Sequence, residues 1–274
     1  MGRERILITV KTYPTLSQTH IELVCTAGLR EDGSWVRIYP VPFRLLEQGQ
    51  QFAKWTWVEL PLTRRWKDHR PESHSPSDRN DIQIFNTIGT TDGWRERRDW
   101  ALKRGKVWNN LKELIAAGKQ QGGVSLATFK PARLLGFDHE AAVTEWDEDR
   151  LAQAHEQLRQ TDLFETDAIN ENFKPANKVP YNFYYRFRDA AGTESRMRIL
   201  DWEIGMLYWK CLHNARGDQD EALFKVRQKY EQQFFSTDLH FFLGTTLEWH
   251  DRAPNPWVII GVFPAPHQFQ GELF

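Results

Sequence analysis

The sequence predicts an α+β fold whose mainly antiparallel sheet can close into a barrel, with inserted and flanking helices. Three observations carry this reading. Short Val- and Ile-rich runs bounded by Pro or Asp-Gly fill the N-terminal part, helical periodicity belongs to later segments, and consecutive strands are joined by hairpin turns. The 274 residues then read as one α+β domain, β-rich over 1–90, with a basic helical insertion over 91–122 and a mixed α/β part over 123–274.

The elements follow in order. Arg5 to Tyr13 is rich in Ile and Val and stops at Pro14, Ile21 to Ala27 is a second strand, and Trp35 to Tyr39 is a third, closed by Pro40 and Pro42. Asp32-Gly33 supplies the positive-φ turn between the second and third. Alternation puts Trp35, Arg37 and Tyr39 on one face of the third strand and Val36 and Ile38 on the other, so one face is core and the other is aromatic with a cation. Trp55 to Leu62 is a fourth strand, and the polar stretch from Arg64 to Asp81 reads as a long loop. From Asp92 to Gln120 the pattern turns helical, with Asp92 as N-cap and Gly105 as a break. Val124 to Phe129 and Arg133 to Phe137 are short strands, and Asp147 to Gln160 is a polar helix. Tyr181 to Phe187 and Ser195 to Leu200 form a hairpin around Asp189 to Gly192. Trp202 to Asn214 and Gln219 to Phe235 are amphipathic helices, and strands from Leu239 to Leu243 and Trp257 to Phe263 close the chain.

Composition excludes a disordered chain: 12 Trp, 7 Tyr and 17 Phe give 13% aromatic residues, although mean hydropathy is −0.63. No run reaches the ~20 apolar residues of a membrane span. With 2 Cys and no N-terminal apolar stretch, the expected setting is cytoplasmic with reduced thiols. The net charge of −1 hides an asymmetry, since Lys54 to Arg133 holds 16 Lys and Arg against 9 Asp and Glu, whereas Asp138 to Glu171 holds 11 acids and 2 bases. Clustered cations attract a polyanion, and two solvated helices that pair with each other would give the same pattern.

Strong chemical signatures are missing. There is no Gly-rich phosphate loop, CxxC pair, HExxH, GxSxG elbow or DxDxDG loop, and the 9 His never fall in a tight ligand spacing, so neither a metal nor another cofactor is expected. Cys25 and Cys211 sit in apolar surroundings and read as small hydrophobes.

Four constellations could carry chemistry; one of them, Asp238 to Thr246 with Asn255-Pro256-Trp257, reads mostly as a core strand, with Thr245 and Asn255 the members a ligand could use. Asp201 and Glu203 stand where a strand hands over to a helix. Asp201 there can cap the helix, or can project into a cleft walled by Trp202 and Trp209 and act as a general acid or base. At the N-terminal strand ends, Lys11, Tyr13, Glu22, Arg37, Tyr39 and Arg44 bring cations and rings together, which suits phosphate contacts and base stacking as well as plain cation–aromatic packing; Glu22 is the reserve catalytic acid. Arg70, Glu72, Ser73 and His74 lie in the basic loop, where they could hold phosphate oxygens, and Arg95, Arg97 and Arg98 form a cationic stripe on the Trp-bearing helix.

Taken together, Lys11-Thr12-Tyr13-Pro14, Val24 to Gly28, Arg37-Ile38-Tyr39-Pro40, Arg70-Pro71-Glu72-Ser73, Asp201-Trp202-Glu203 and Phe241 to Thr245 resemble a family of bacterial proteins, over nearly the whole chain. The chain is similar to the DNA glycosylases of phage defence that excise bulky modified bases from viral DNA. That resemblance implies a DNA partner and cleavage of an N-glycosidic bond without a cofactor, which a carboxylate and a positioned water can achieve through an oxocarbenium-like transition state. It carries over no particular catalytic residue. A non-catalytic reader of modified or damaged nucleic acid would use the same rings and cations, and a metal-dependent nuclease on Asp201 and Glu203 is the third reading.

Overall fold

The computed structural model describes residues 2–16, 22–41, 43–46, 49, 51–78, 81–162 and 175–268. Ile21, the expected start of the second strand, and the part of the acidic run from 163 to 171 lie outside these residues.

The first half carries β1 (Arg3–Lys11), β2 (Thr15–Leu16), β3 (Glu22–Arg30), β4 (Trp35–Val41), β5 (Thr56–Arg64), β6 (Ser73–Pro76) and β7 (Gln83–Thr87). β1, β3, β4, β6 and β5 follow one another in the sheet, and β5 pairs back onto β1, so these five close a barrel. All its pairings are antiparallel except β4 with β6. The second half carries β8 (Val107–Trp108), β9 (Leu126–Phe129), β10 (Arg133–Ala141), β11 (Tyr181–Arg188), β12 (Glu194–Ile199), β13 (Asp238–Thr245) and β14 (Trp257–Ala265), in the sheet order β10-β11-β12-β14-β13-β9-β8. Its helices are α1 (Thr91–Arg98), α2 (Leu111–Gly118), α3 (Glu148–Asp162), α4 (Trp202–Asn214) and α5 (Gln219–Arg227), with α1 preceding the sheet in the chain. The architecture is α+β and mainly antiparallel, as the sequence predicts.

The period of two explains the layering. In β1, Ile6 and Ile8 point into the barrel with Val36, Ile38, Val58 and Leu60, while Leu7 points out against the seam with the second sheet; Val10 joins Leu7 there with Trp57, Phe242 and Ile260 because a register shift between Ile8 and Val10 interrupts the alternation. Trp35 meets Phe242 edge-on at 5.4 Å, and Trp55 packs on Phe263 at 5.1 Å. A third apolar cluster of Phe137, Phe183, Tyr185, Phe187 and Tyr208 lies between the second sheet and α4. Many of the 36 rings implied by the composition are therefore core, not surface.

Three expectations need correction. The helix expected from Asp92 to Gln120 is split: α1 is followed by a π-turn over Asp99–Lys103, the short strand β8, and then α2. Asp92 does not cap it, because Asp92, Gly93 and Trp94 take left-handed backbone angles and Asp92 pairs with Arg95. The loop from Arg64 to Asp81 contains β6, whose four residues are too polar to show a strand pattern yet complete the barrel. The Arg37 face of β4 is not an open barrel mouth, since Arg37 is 2% exposed and turned into the seam.

Candidate ligand cavity at the seam

A cavity of about 600 Å³ opens where the barrel meets the second sheet, a size typical of small-ligand sites. Tyr13, Tyr39, Trp146 and Tyr181 contribute rings to its wall, Cys25, Ile204 and Ile260 contribute apolar surface, and Arg37, Arg70, Lys178 and Arg198 contribute cations. Asp201 is the one carboxylate lining it among the described residues.

Tyr13 follows β1 and is fixed at its hydroxyl, which accepts from Trp209 Nε1 at 2.8 Å and donates to the Asn177 carbonyl at 2.9 Å. Gly205 on α4 lets that ring lie flat on the helix, because a Cβ at this position would collide with it. Tyr39 stacks with Arg65, whose guanidinium carbon is 4.9 Å from the ring centre. Beside Arg65 in the same loop, Trp66 is 88% exposed. Lys178 lies over Trp146 at 4.8 Å and donates to the Glu145 carbonyl.

Arg198 differs from the other lining cations. It is exposed on β12, between Met197 and Ile199, which alternation buries on the opposite face. Arg37 and Arg70, in contrast, are braces. Arg37 donates to Ser73 Oγ at 3.2 Å, Ser125 Oγ at 2.7 Å, the Ser125 carbonyl at 3.0 Å and the Thr245 carbonyl at 3.4 Å. Arg70 forms a bidentate pair with Asp68 at 2.9 and 2.6 Å and also donates to the Thr245 carbonyl. Burial first, and then the charge of Arg70, hold Arg37 down to about 10. Burial pushes Asp68 up, but the Arg70 guanidinium overrides it and holds the carboxyl well below the usual carboxylate range. Glu72 accepts from the backbone N–H and hydroxyl of Ser125 at 2.9 and 2.6 Å. His74 is hydrogen-bonded to the Glu72 carbonyl at 2.9 Å. Arg70, Glu72 and Ser73, read from the sequence as a phosphate-holding loop, are thus brought to Arg37 of a different constellation, and the four form a polar seam between two β layers.

Asp201 is fully buried and serves as the N-cap of α4, accepting from Glu203 N–H at 3.1 Å. The same oxygen accepts from Lys54 Nζ at 2.5 Å, and the other accepts from Val262 N–H at 3.1 Å. Burial pushes the Asp201 carboxyl up against the pull of the Lys54 ammonium, while Glu203, 59% exposed at the side chain, approaches Lys54 at 3.2 Å. Lys54 has no motif around it, so its role is invisible before the fold is known.

The remaining expected residues sit elsewhere. Lys11 is buried, donates to the Phe52 carbonyl at 2.9 Å and lies 4.0 Å above the Phe43 ring; burial, followed by Lys54, lowers it to about 8. Glu22 is buried and pairs with Arg44 at 2.7 Å, and Arg44 lines a neighbouring groove with Tyr13, Trp202 and Trp209. The cationic stripe of α1 is not a stripe. Arg98 pairs with Asp238 at 2.6 Å, Arg97 donates to the Ile88 carbonyl and lies 5.1 Å from the Trp55 ring centre, and only Arg95 points outward, to Asp92. A stripe of phosphate contacts on this helix is therefore corrected to a set of braces.

Barrel, second sheet and seam cavity together define an α+β protein with a cavity between two β layers. Residues 108–274 match the family described as Domain of unknown function (DUF8757), and residues 2–103 match the one described as Domain of unknown function (DUF8758). The chain belongs to the DUF8757 family. No curated protein matches it. A solved structure of a murine DNA binding protein bound with ds DNA is similar over 96% of this chain and 94% of that one, at 6% identity and a TM-score of 0.31, a likeness that carries no argument about fold or ligand. No helix among the described residues is long and apolar enough to cross a membrane.

Proposed function

We propose that the protein binds modified DNA and takes an extruded base into the seam cavity, where Asp201 assists release of that base by metal-independent hydrolysis of the N-glycosidic bond. The observation that supports this reading is the lining itself. A flipped base needs flat apolar walls, a cation for the adjoining backbone and, for hydrolysis, a carboxylate; Tyr13, Tyr39, Trp146 and Tyr181, then Arg198, then Asp201 have those properties around one cavity. Asp201 Oδ2 accepts from a single backbone donor, so one lone pair is left for a water once base entry opens the wall around this buried carboxylate.

One observation favours the alternative of a non-catalytic reader: both Asp201 oxygens already accept hydrogen bonds, and the residue caps α4. The nuclease reading loses support because the Lys54 ammonium occupies the point where Asp201 and Glu203 converge, the position that a divalent ion would need. The test is incubation with unmodified DNA and with phage DNA bearing bulky modified bases, in parallel in EDTA and with added divalent metal, scoring abasic sites and strand breaks separately. Abasic sites on modified DNA are expected, with Arg198→Ala lowering affinity and reducing the salt slope by about one. Binding without abasic sites leaves the reader, and breaks that require added metal overturn both.

A further inference from the structure

We infer that His69, His250 and Asp251 form a binding site for one divalent transition-metal ion, with zinc the best match to two imidazoles and a carboxylate. The three residues come from two loops of different halves of the molecule, His69 from the segment between β5 and β6 and the other two from the segment between β13 and β14. One ligand atom from each lies within 4.8 Å of the other two. His69 Nε2 is 2.8 Å from Asp251 Oδ2, and His250 Nε2 is 4.0 Å from Asp251 Oδ1. Tetrahedral zinc with bonds near 2.0–2.1 Å separates its ligand atoms by about 3.3 Å, so shifts of roughly 1 Å would seat the ion.

The site has supporting partners as well as ligands. His250 is 5% exposed, and its Nδ1 is hydrogen-bonded to Thr245 Oγ1 at 2.9 Å, which turns Nε2 toward Asp251 in the manner of an oriented metal ligand. On the other loop, the bidentate Arg70–Asp68 pair flanks His69 on both sides, and Arg70 N–H also donates to Asp68 Oδ1 at 3.1 Å. Arg70 further donates to the Thr245 carbonyl, so the backbone carrying one imidazole is tied to the residue that orients the other. The two rings face each other at 5.2 Å between centres, inclined by 41°. His69 and Asp251 are exposed enough for an ion to reach them. Bound there, the ion would clip the barrel loop to the loop that ends at β14, beside the cavity wall formed by Arg70 and Thr245. Three protein ligands leave the fourth position of a tetrahedral ion to water, and none of the three lines the cavity proposed to take the base.

The experiment needs no nucleic acid. Protein stripped with EDTA and dialysed free of it is titrated with zinc chloride by calorimetry, and its unfolding is followed by circular dichroism. Uptake of one equivalent per chain is expected, with Tm raised by about 5–10 °C when zinc is ~100-fold above its Kd. His69→Ala and Asp251→Asn, both at exposed positions that leave the fold intact, should each weaken uptake at least tenfold. Cobalt(II) should give visible absorption bands that both variants lose. Absence of stoichiometric uptake, or uptake unchanged in both variants, overturns the inference.

Discussion

Asp201→Asn is a stability experiment before it is a catalytic one. The carboxylate is fully buried, and its Lys54 partner is only 7% exposed at the side chain. Asparagine can keep the oxygen that faces Lys54 and Glu203 N–H, but its amide nitrogen must then face Val262 N–H, donor against donor. It also removes the charge that balances the Lys54 ammonium, leaving Glu203 at 3.2 Å as the remaining counter-charge. Breaking a buried pair costs about 3–5 kcal/mol, and the residual Glu203 contact places the expectation near the lower end, roughly 3 kcal/mol. For a chain of this size that lowers Tm by about 6–12 °C, measured by circular dichroism at neutral pH, with urea titration as a second readout. Lys54→Met should cost less in the Asp201→Asn background than in the wild type, giving a coupling of at least about 2 kcal/mol. A Tm drop below about 2 °C, or strictly additive single and double variants, would refute the assignment of Asp201 and Lys54 as a structural pair. Base-release assays on Asp201→Asn accordingly belong at a temperature where urea titration shows the variant folded.

His240 makes stability depend on acid. Burial, aided by Lys130, holds its imidazole down to about 4 from an ordinary 6.5. The folded state therefore binds fewer protons than the unfolded one between those values, and stability is lost as pH falls through that window, by on the order of 3 kcal/mol. His240→Phe should flatten this limb in urea titrations run across pH 4 to 7; an unchanged slope would remove His240 as its source. Gly205→Ala has an informative sign. In an open helix the change would stabilise by up to about 1 kcal/mol, but here the new methyl meets the Tyr13 ring held by Trp209 and Asn177, so a loss of about 1–3 kcal/mol in urea titration is expected, and a gain would show the ring free to move.

The strand pattern was legible because burial alternates where one side of a sheet faces an apolar layer. Val36 and Ile38 take the barrel face of β4 as their apolar character predicts, although the opposite face is covered too and Arg37 is buried, and the Asp32-Gly33 turn and the Asp189 to Gly192 turn both fall where the residues place them. α4 runs from Trp202 to Asn214 because Asp201 caps it, and both facts were readable locally. The helix expected from Asp92 to Gln120 failed for a physical reason. Trp94 and Trp100 are apolar at a helical spacing, yet they are held by partners outside the segment, Trp94 by Phe263 and Trp100 by Trp57, and tertiary packing overrides the local period.

The functional residues divide along the same line. What a residue does at the seam depends on partners that sequence distance conceals: Lys54 and Asp201 are 147 positions apart, and Arg70 and Thr245 are 175 apart. A search for ligand spacing along the chain therefore passes over His69 and His250, although their rings face each other. The same effect inverts the reading of the arginines. Arg37, Arg70, Arg97 and Arg98 look like phosphate contacts from their residue type and setting, but each meets carbonyls, hydroxyls or carboxylates inside the molecule, whereas Arg198, in a run of mixed charge with Glu194, Arg196 and Asp201, is exposed and lines the cavity. Local charge density measures how many cations the fold has to satisfy. The cation available to a ligand is the one whose strand face is open and whose neighbours on either side, here Met197 and Ile199, are directed into the core.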